Sequence, residues 1–484
     1  MPRIPLLGGA YRDRSPIASA QETINLYVEK NTNAQAPSPT TYYLTPGSTV
    51  FGTPDVPDNS RCSYRTTLGT AYEVVGTRIY AIATNGAMVF IGAIPDRASQ
   101  VIMADNGLIA ILVDGVQGWA IKLSDNSFTE IVDPAFYGAD YVLFLDTFFA
   151  FNRPRTNQFY ISGSMIDYAQ IVAMTAFDPL DIAAKSGSAD PILAIWTVHK
   201  ELWLIGALTT EIWIGTGAAD FYFQLVQGAY IDHGCAAQYS VAGTDVVLFW
   251  LMQDKAGHCQ IMKGAGYEVE NIATSYLTDL MEGMETIADA IGGIFQQNNH
   301  AFYILIFPTA NLTFVYDLTT NEWFRWAWLD DNGNINRHRA NTFMFFNNNV
   351  MIGDWETGKL YILDPAIYTD FDGPILRRKT FLHMVGAEYE RVGYTSFDAD
   401  IEVGNTNTDD PALEPQLSLS WSDDRGKTYG NPVQQGFGLQ GDYLTTISWN
   451  RLGMARDRIF KLEWSENLKT SLLGGFATVK QFRS

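Results

Sequence analysis

The chain has little sulfur, little positive charge and no long apolar run. Cys62, Cys235 and Cys259 are its three cysteines, an odd set without CxxC spacing, which argues against a disulfide framework and for a reducing compartment. Lysine and arginine number 32 against 53 acidic residues, for a net charge of -21. That balance disfavours electrostatic gripping of nucleic acid. The most apolar stretch, Tyr141 to Phe151, is broken by Asp146 and is too short to cross a bilayer. The opening residues Met1-Pro2-Arg3-Ile4-Pro5-Leu6 lack the apolar core of a signal peptide. A soluble chain with no membrane segment, not secreted by the usual route, is expected. There is no P-loop and no GxGxxG. His199, His300, His338 and His383 are scattered and fit no nucleophile-elbow or metalloprotease pattern, so no catalytic residue and no cofactor is expected.

What is present is aromatic and β-rich. The 12 Trp and 24 Tyr suit sheets and interfaces better than disorder. From about Arg61 to Asp364, short β-branched and aromatic runs are cut every five to ten residues by Gly, Asn, Asp or Pro. Repeated four-strand units of about 40 residues mark a β-propeller. The passes fall near 71–91, 107–131, 141–161, 192–214, 240–272, 288–328 and 342–363. The last is short, and a spare strand near Tyr42 to Phe51 could complete it, so six or seven blades are both open. Asn85-Gly86 marks a hairpin. Leu277, Leu280, Met281, Met284 and Ile287 stand at helical spacing, predicting a short helix between blades.

The length exceeds one compact core. Residues 1–60 hold Pro2, Pro5, Pro16, Pro37, Pro39, Pro46, Pro54 and Pro57 and are expected to form an extended N-terminal arm, ordered by packing on something else. The propeller is placed at 61–366. Beyond a turn-rich junction at Tyr368 to Pro374, Gln416 to Ser422 and Ile459 to Ser465 alternate polar with apolar, as strands covered on one face do. Residues 367–484 are therefore expected to be a β-sandwich-like assembly domain. The fold class is all-β.

Ser422-Asp423-Asp424-Arg425-Gly426-Lys427-Thr428-Tyr429 resembles the Asp-box turn of sialidase propellers. The residues themselves explain a structural turn over Ser422, Asp424, Gly426 and Thr428: Asp424 can bond the turn's own amides, Gly426 supplies a positive φ and the aromatic Tyr429 packs beneath. A single copy outside the propeller argues against a glycosidase. His233, Cys235, His258 and Cys259 are zinc-type ligands at the wrong spacing, and adjacent strand residues point to opposite faces, so no metal is expected. Arg451, Arg456, Asp457 and Arg458 form the densest basic run, and Arg377-Arg378-Lys379 a second cluster. Both fit either solvated turns or contacts with a partner, because arginine forks onto carboxylates and is enriched at interfaces.

Several segments together carry a more specific likeness: Gln21 to Glu29, Glu201 to Gly206, Glu211 to Trp213, Gly228 to Ala237, Phe302 to Asn311, Val315 to Trp323, Gly353 to Asp364 and Arg456 to Arg458. With these the chain resembles the packaged-DNA stabilisation proteins, or tail hub and nozzle proteins, of short-tailed bacteriophages. The resemblance implies a structural virion protein, assembled in the host cytoplasm and located in the tail. It implies a homohexamer ring below the portal, contacting a head-to-tail adaptor protein, a tail needle or plug protein, and tail fibres or tailspikes. DNA would pass through the channel without sequence-specific binding. A carbohydrate-binding or glycoside-cleaving propeller is the alternative, which would need paired carboxylates at the propeller axis.

Overall fold

A computed structural model describes residues 12–31, 38–218, 220–371, 373–386, 389–406, 410 and 413–481, and the backbone of 3–6. Parts of the polar stretch at 31–41, and Asp372 in the junction, lie outside the described residues. The chain is mostly β: a propeller joined to a β-sandwich. Among the described residues the propeller comprises seven four-stranded antiparallel units, at 60–93, 102–130, 142–184, 192–231, 242–271, 291–325 and 340–364, the last completed by Gly47–Gly52. That early strand runs antiparallel to Leu360–Asp364, with Ser48 opposite Leu363 and Val50 opposite Tyr361. Closing the final blade with a strand from the chain's beginning ties the ends of the ring together and leaves no gap between first and last blades.

Inside the blades, alternation fails in favour of continuous burial. Ile109–Val113 and Ala71–Val75 are buried at every position, because each blade is covered by a neighbour on both faces. Tryptophans fill the wedge between units: Trp203 and Trp250 are fully buried in one cluster with Ile195, Leu204 and Ile212. The hairpins between first and second strands are tight. Asp146-Thr147, His199-Lys200, Asn298-Asn299 and Asn347-Asn348 each place two successive residues at positive φ, the conformation that two-residue hairpins of matching twist demand. Asp146, which interrupts the longest apolar run, is thus a turn. At Asn85-Gly86 only Gly86 takes positive φ, and the loop closes through Ala83 N–H to Ala87 O. The helix between blades spans Ser275–Glu282, capped by Thr274, with Leu277 and Met281 buried; it stops at Gly283, so Met284 and Ile287 of the expected pattern lie beyond it.

The sandwich packs two sheets. One orders 26–30, 40–44, 471–481, 392–401 and 447–450; the other contains 377–380, 457–464, 416–422 and 433–436. Phe397, Leu419, Trp449, Phe460 and Leu462 are buried between them. Glu22–Ile24 lies between the sixth blade and the sandwich: Ile24 pairs parallel with Arg325 and antiparallel with Arg378. A ten-stranded sheet therefore runs unbroken from the propeller into the sandwich.

Glu22–Ile24, Leu26–Lys30, Thr40–Leu44 and Gly47–Gly52 differ from the expected arm. They are strands in the sheets of this chain's own two domains, and the sandwich core takes Leu26, Val28 and Tyr42 from them. Pro39 and Pro46 flank Thr40–Leu44, and these strands run only three to six residues, too short to show a period in sequence.

Candidate functional site

The basic residues singled out in the sequence divide by environment. Arg458 is 2% exposed; its Nε and Nη2 donate to the two oxygens of Asp423 at 2.6 and 2.7 Å, and Nη1 donates to Leu452 O at 2.6 Å. Tyr394, Trp421 and Phe460 surround the guanidinium, a caged fork that holds the turn onto the sheet. Asp457 is also buried, paired with His383 Nδ1 at 2.8 Å. His383 in turn meets Pro16 O at 2.7 Å, which pins the N-terminal segment to the sandwich.

Arg377 is fully buried; it donates to Tyr368 O and Glu466 O, and burial pushes it down to about 10. Arg378 bonds Glu463 at 2.7 Å and Glu22 at 3.3 Å along the strip where propeller meets sandwich. Four of the six candidate interface residues, Arg377, Arg378, Asp457 and Arg458, are thus engaged inside the chain. Only Arg451 and Arg456 present exposed side chains. Sequence spacing could not separate them, because Asp457–Trp464 is an interior strand whose first residues turn inward.

The exposed pair has company. Arg391 is exposed beside Val392, which pairs with Ala455, and Arg425 stacks on Tyr389 at 5.5 Å. Met454, Tyr389 and Val385 are exposed apolar residues at the same end of the sandwich. Arg391, Arg425 and this apolar centre escaped sequence reading because they come from three separate loops.

The Ser422-to-Thr428 turn caps itself. Asp424 Oδ1 accepts from Ser422 Oγ, Lys427 N and Thr428 N at 2.7 to 3.0 Å, and Oδ2 accepts from Thr428 Oγ1 at 2.6 Å. The Thr428 hydroxyl and amide bonds, with that from Ser422, hold the Asp424 carboxyl well below its usual range. Gly426 has φ +83°, and a Cβ there would meet the Ala20 Cβ at 3.0 Å, so the turn is also packed on the N-terminal segment.

At the propeller axis the first strands of all seven units enclose a cavity of about 570 Å³, lined by Ser63, Met103, Leu143, Thr197, Gly243, Ile294 and Phe343 among others. Asp105 is the one carboxylate among its lining residues, and its oxygens accept from Tyr64 and Thr67. Two carboxylates flanking a bond, as glycoside cleavage needs, are not found in that lining. Nearby, Glu73 is fully buried against Ser60, and burial pushes its carboxyl up to about 8.

The zinc-type residues are dispersed. His258 is exposed against Glu282 at 3.1 Å, while Cys235 is buried with its thiol on Ala237 O at 3.0 Å. All three cysteines are free and buried. Among the described residues no cluster of three His, Cys, Asp or Glu is arranged to hold a metal, and no helix is long and apolar enough to cross a membrane.

Two family models match in tandem: the β-propeller of bacteriophage P22 Gp10 over residues 2–368 and the β-sandwich of the same protein over 377–480. The chain belongs to the bacteriophage P22 Gp10 family. This is a family of short-tailed phage tail-hub and DNA-stabilisation proteins. The β-propeller match takes in Leu26–Lys30 and Thr40–Leu44, which here complete a sandwich sheet, so the Gp10 propeller and sandwich segments interlock in space although they are consecutive in sequence. The comparison with curated proteins gave no match. Solved structures similar to the chain include the WD40 propeller domain of Doa1 (8% identity, 65% of this chain and 97% of that one, TM-score 0.38), the N-terminal domain of Nup159 (7%, 72% and 99%, 0.41) and streptogramin B lyase (12%, 66% and 97%, 0.40).

Proposed function

We propose that the chain is a ring-forming, non-enzymatic subunit of a phage tail. Six copies form the hub or nozzle below the portal and head-to-tail adaptor, continue the DNA channel and help retain packaged DNA. The ring carries the needle or plug and the fibres or spikes, and it is assembled in the host cytoplasm before it takes its place in the virion tail. The observation that carries this reading is the tandem P22 Gp10 match across both domains.

The architecture supports it. A propeller and a sandwich joined through one continuous sheet make a stiff wall element, suited to a tube under internal pressure. The net charge of -21 favours a channel along which DNA slides, since like charges repel across a Debye length of about 8 Å at physiological salt. Cryo-electron microscopy of the tail tests both points: a sixfold ring with an acidic bore is expected. A bore lined with lysine and arginine would overturn the sliding channel, and a chain outside the tail would overturn the assignment.

A further inference from the structure

The sandwich is electrically polar from end to end. Its strands fix which loops share an end. Val392–Ile401 runs from one end to the other and spans about 30 Å at ~3.3 Å per residue. Asp457–Trp464 and Gln416–Ser422 run alongside each other antiparallel, with Ser422 opposite Ile459 and Ser418 opposite Glu463. The described residues of 381–386, 389–391, 423–432 and 451–456 therefore gather at one end, and those of 402–406, 413–415, 437–446 and 465–470 at the other.

The first end carries Arg391, Arg425, Arg451 and Arg456 around Tyr389 and Met454, which are 53% and 55% exposed. Glu390, Asp423 and Asp424 are its exposed acids, Asp423 paired with Arg458; Lys427 adds an exposed cation, and the half-exposed Arg425 also lies 3.5 Å from the buried Asp457. Among the described residues the opposite end carries Glu402, Asp410, Glu414, Asp442 and Glu466 with one cation, Lys469. There, Tyr443 and Leu444 are 68% and 97% exposed. Each end thus combines an apolar centre with charges, and the two ends have opposite signs.

Resting on the ring reading above, we infer that the arginine end of one sandwich docks on the acidic end of the sandwich in a second copy of this chain. The charges are complementary, the apolar centres supply area that both ends otherwise leave in water, and two different patches per copy make the contact head-to-tail. Contacts of that kind close into rings when the rotation allows, whereas a self-complementary patch stops at a dimer.

Charge reversal tests the contact in the full-length chain, read by native mass and negative-stain imaging with melting measured alongside. Arg451→Glu with Arg456→Glu, and separately Glu414→Lys with Asp442→Lys, should each lower the ring fraction at least tenfold. Raising salt should also lower the wild-type fraction. Mixing the two variants in equal amounts should restore rings of alternating copies, since each then offers the charge the other needs; an unfolded variant could not be rescued. Wild-type rings left intact by both reversals would overturn this contact while leaving the ring reading in place. Reversals that abolish rings without rescue on mixing would also overturn it, as would arginines that prove to contact another tail protein. A wild-type chain that stays monomeric at high concentration and low salt would overturn the ring and the contact together.

Discussion

Asn25 and Ala327 are joined by a reciprocal pair of hydrogen bonds. Ala327 N donates to Asn25 Oδ1 and Asn25 Nδ2 donates to Ala327 O, both at 2.8 Å. The same amide also donates to Leu376 O at 2.8 Å, so one buried side chain bridges the strand that leaves the sixth blade and the strand that begins the sandwich. Asn25 holds φ +55°, a conformation asparagine tolerates better than most residues.

Asn25→Ala leaves three buried backbone groups without their partner, each worth about 1–3 kcal/mol. A total loss of about 3–5 kcal/mol is expected, measured by chemical denaturation. The 365–376 connection should become a site of limited proteolysis. A variant that melts like wild type and resists cleavage would remove Asn25 from its bridging role.

Arg456 and Arg458 should behave oppositely despite standing two residues apart. Arg458→Ala empties an aromatic cage and leaves the buried Leu452 O without its donor, for an expected cost of about 3–5 kcal/mol. Arg456→Ala removes an exposed side chain and should change stability by less than about 0.5 kcal/mol. Melting curves of the two variants side by side decide the point.

Deleting residues 1–30 removes Glu22–Ile24 and Leu26–Lys30 but spares Gly47–Gly52. Calorimetry should then show the sandwich transition weakened or lost with the propeller transition retained. Deleting residues 1–52 opens the last blade as well, and both transitions should fall. A 1–30 deletion that melts unchanged would return this segment to the role of a peripheral arm.

Two buried groups give opposite pH dependences. Glu73 has its carboxyl raised from 4.5 to about 8 by burial, so between those values the unfolded chain holds fewer protons and stability falls as pH rises. Lys379 is lowered from 10.5 to about 7, also by burial, with Glu322 opposing; between pH 7 and 10.5 the unfolded chain holds more protons, and stability rises. Each slope is at most about 1.4 kcal/mol per pH unit. Glu73→Gln should flatten the fall between pH 5 and 8, and Lys379→Met the rise above 7. A Glu73→Gln profile that still falls like wild type would show that Glu73 titrates normally.

The fold was legible wherever turn chemistry punctuated β-rich runs. Seven passes between 71 and 363 correspond to the seven four-stranded units; of the spare strand expected near Tyr42 to Phe51, Gly47–Gly52 closes the last unit while Thr40–Leu44 joins the sandwich. The helix at Ser275–Glu282 was visible in the spacing of Leu277 and Met281. The placement of Glu22 to Leu44 was not, because those strands pair with residues hundreds of positions away, such as Tyr42 with Leu472 and Ile24 with Arg325. Nor could the basic run show that Arg458 points inward among aromatics while Arg456 points outward. That distinction depends on the strand's register, which a charge cluster does not encode.

The most direct test of the central claim is a cryo-electron microscopy reconstruction of the assembled phage tail. Six copies of this propeller-and-sandwich chain are expected in a closed ring around the DNA path, in contact with the adaptor above it. A tail whose ring is built from other chains, with this one absent or attached as a single copy, would contradict it.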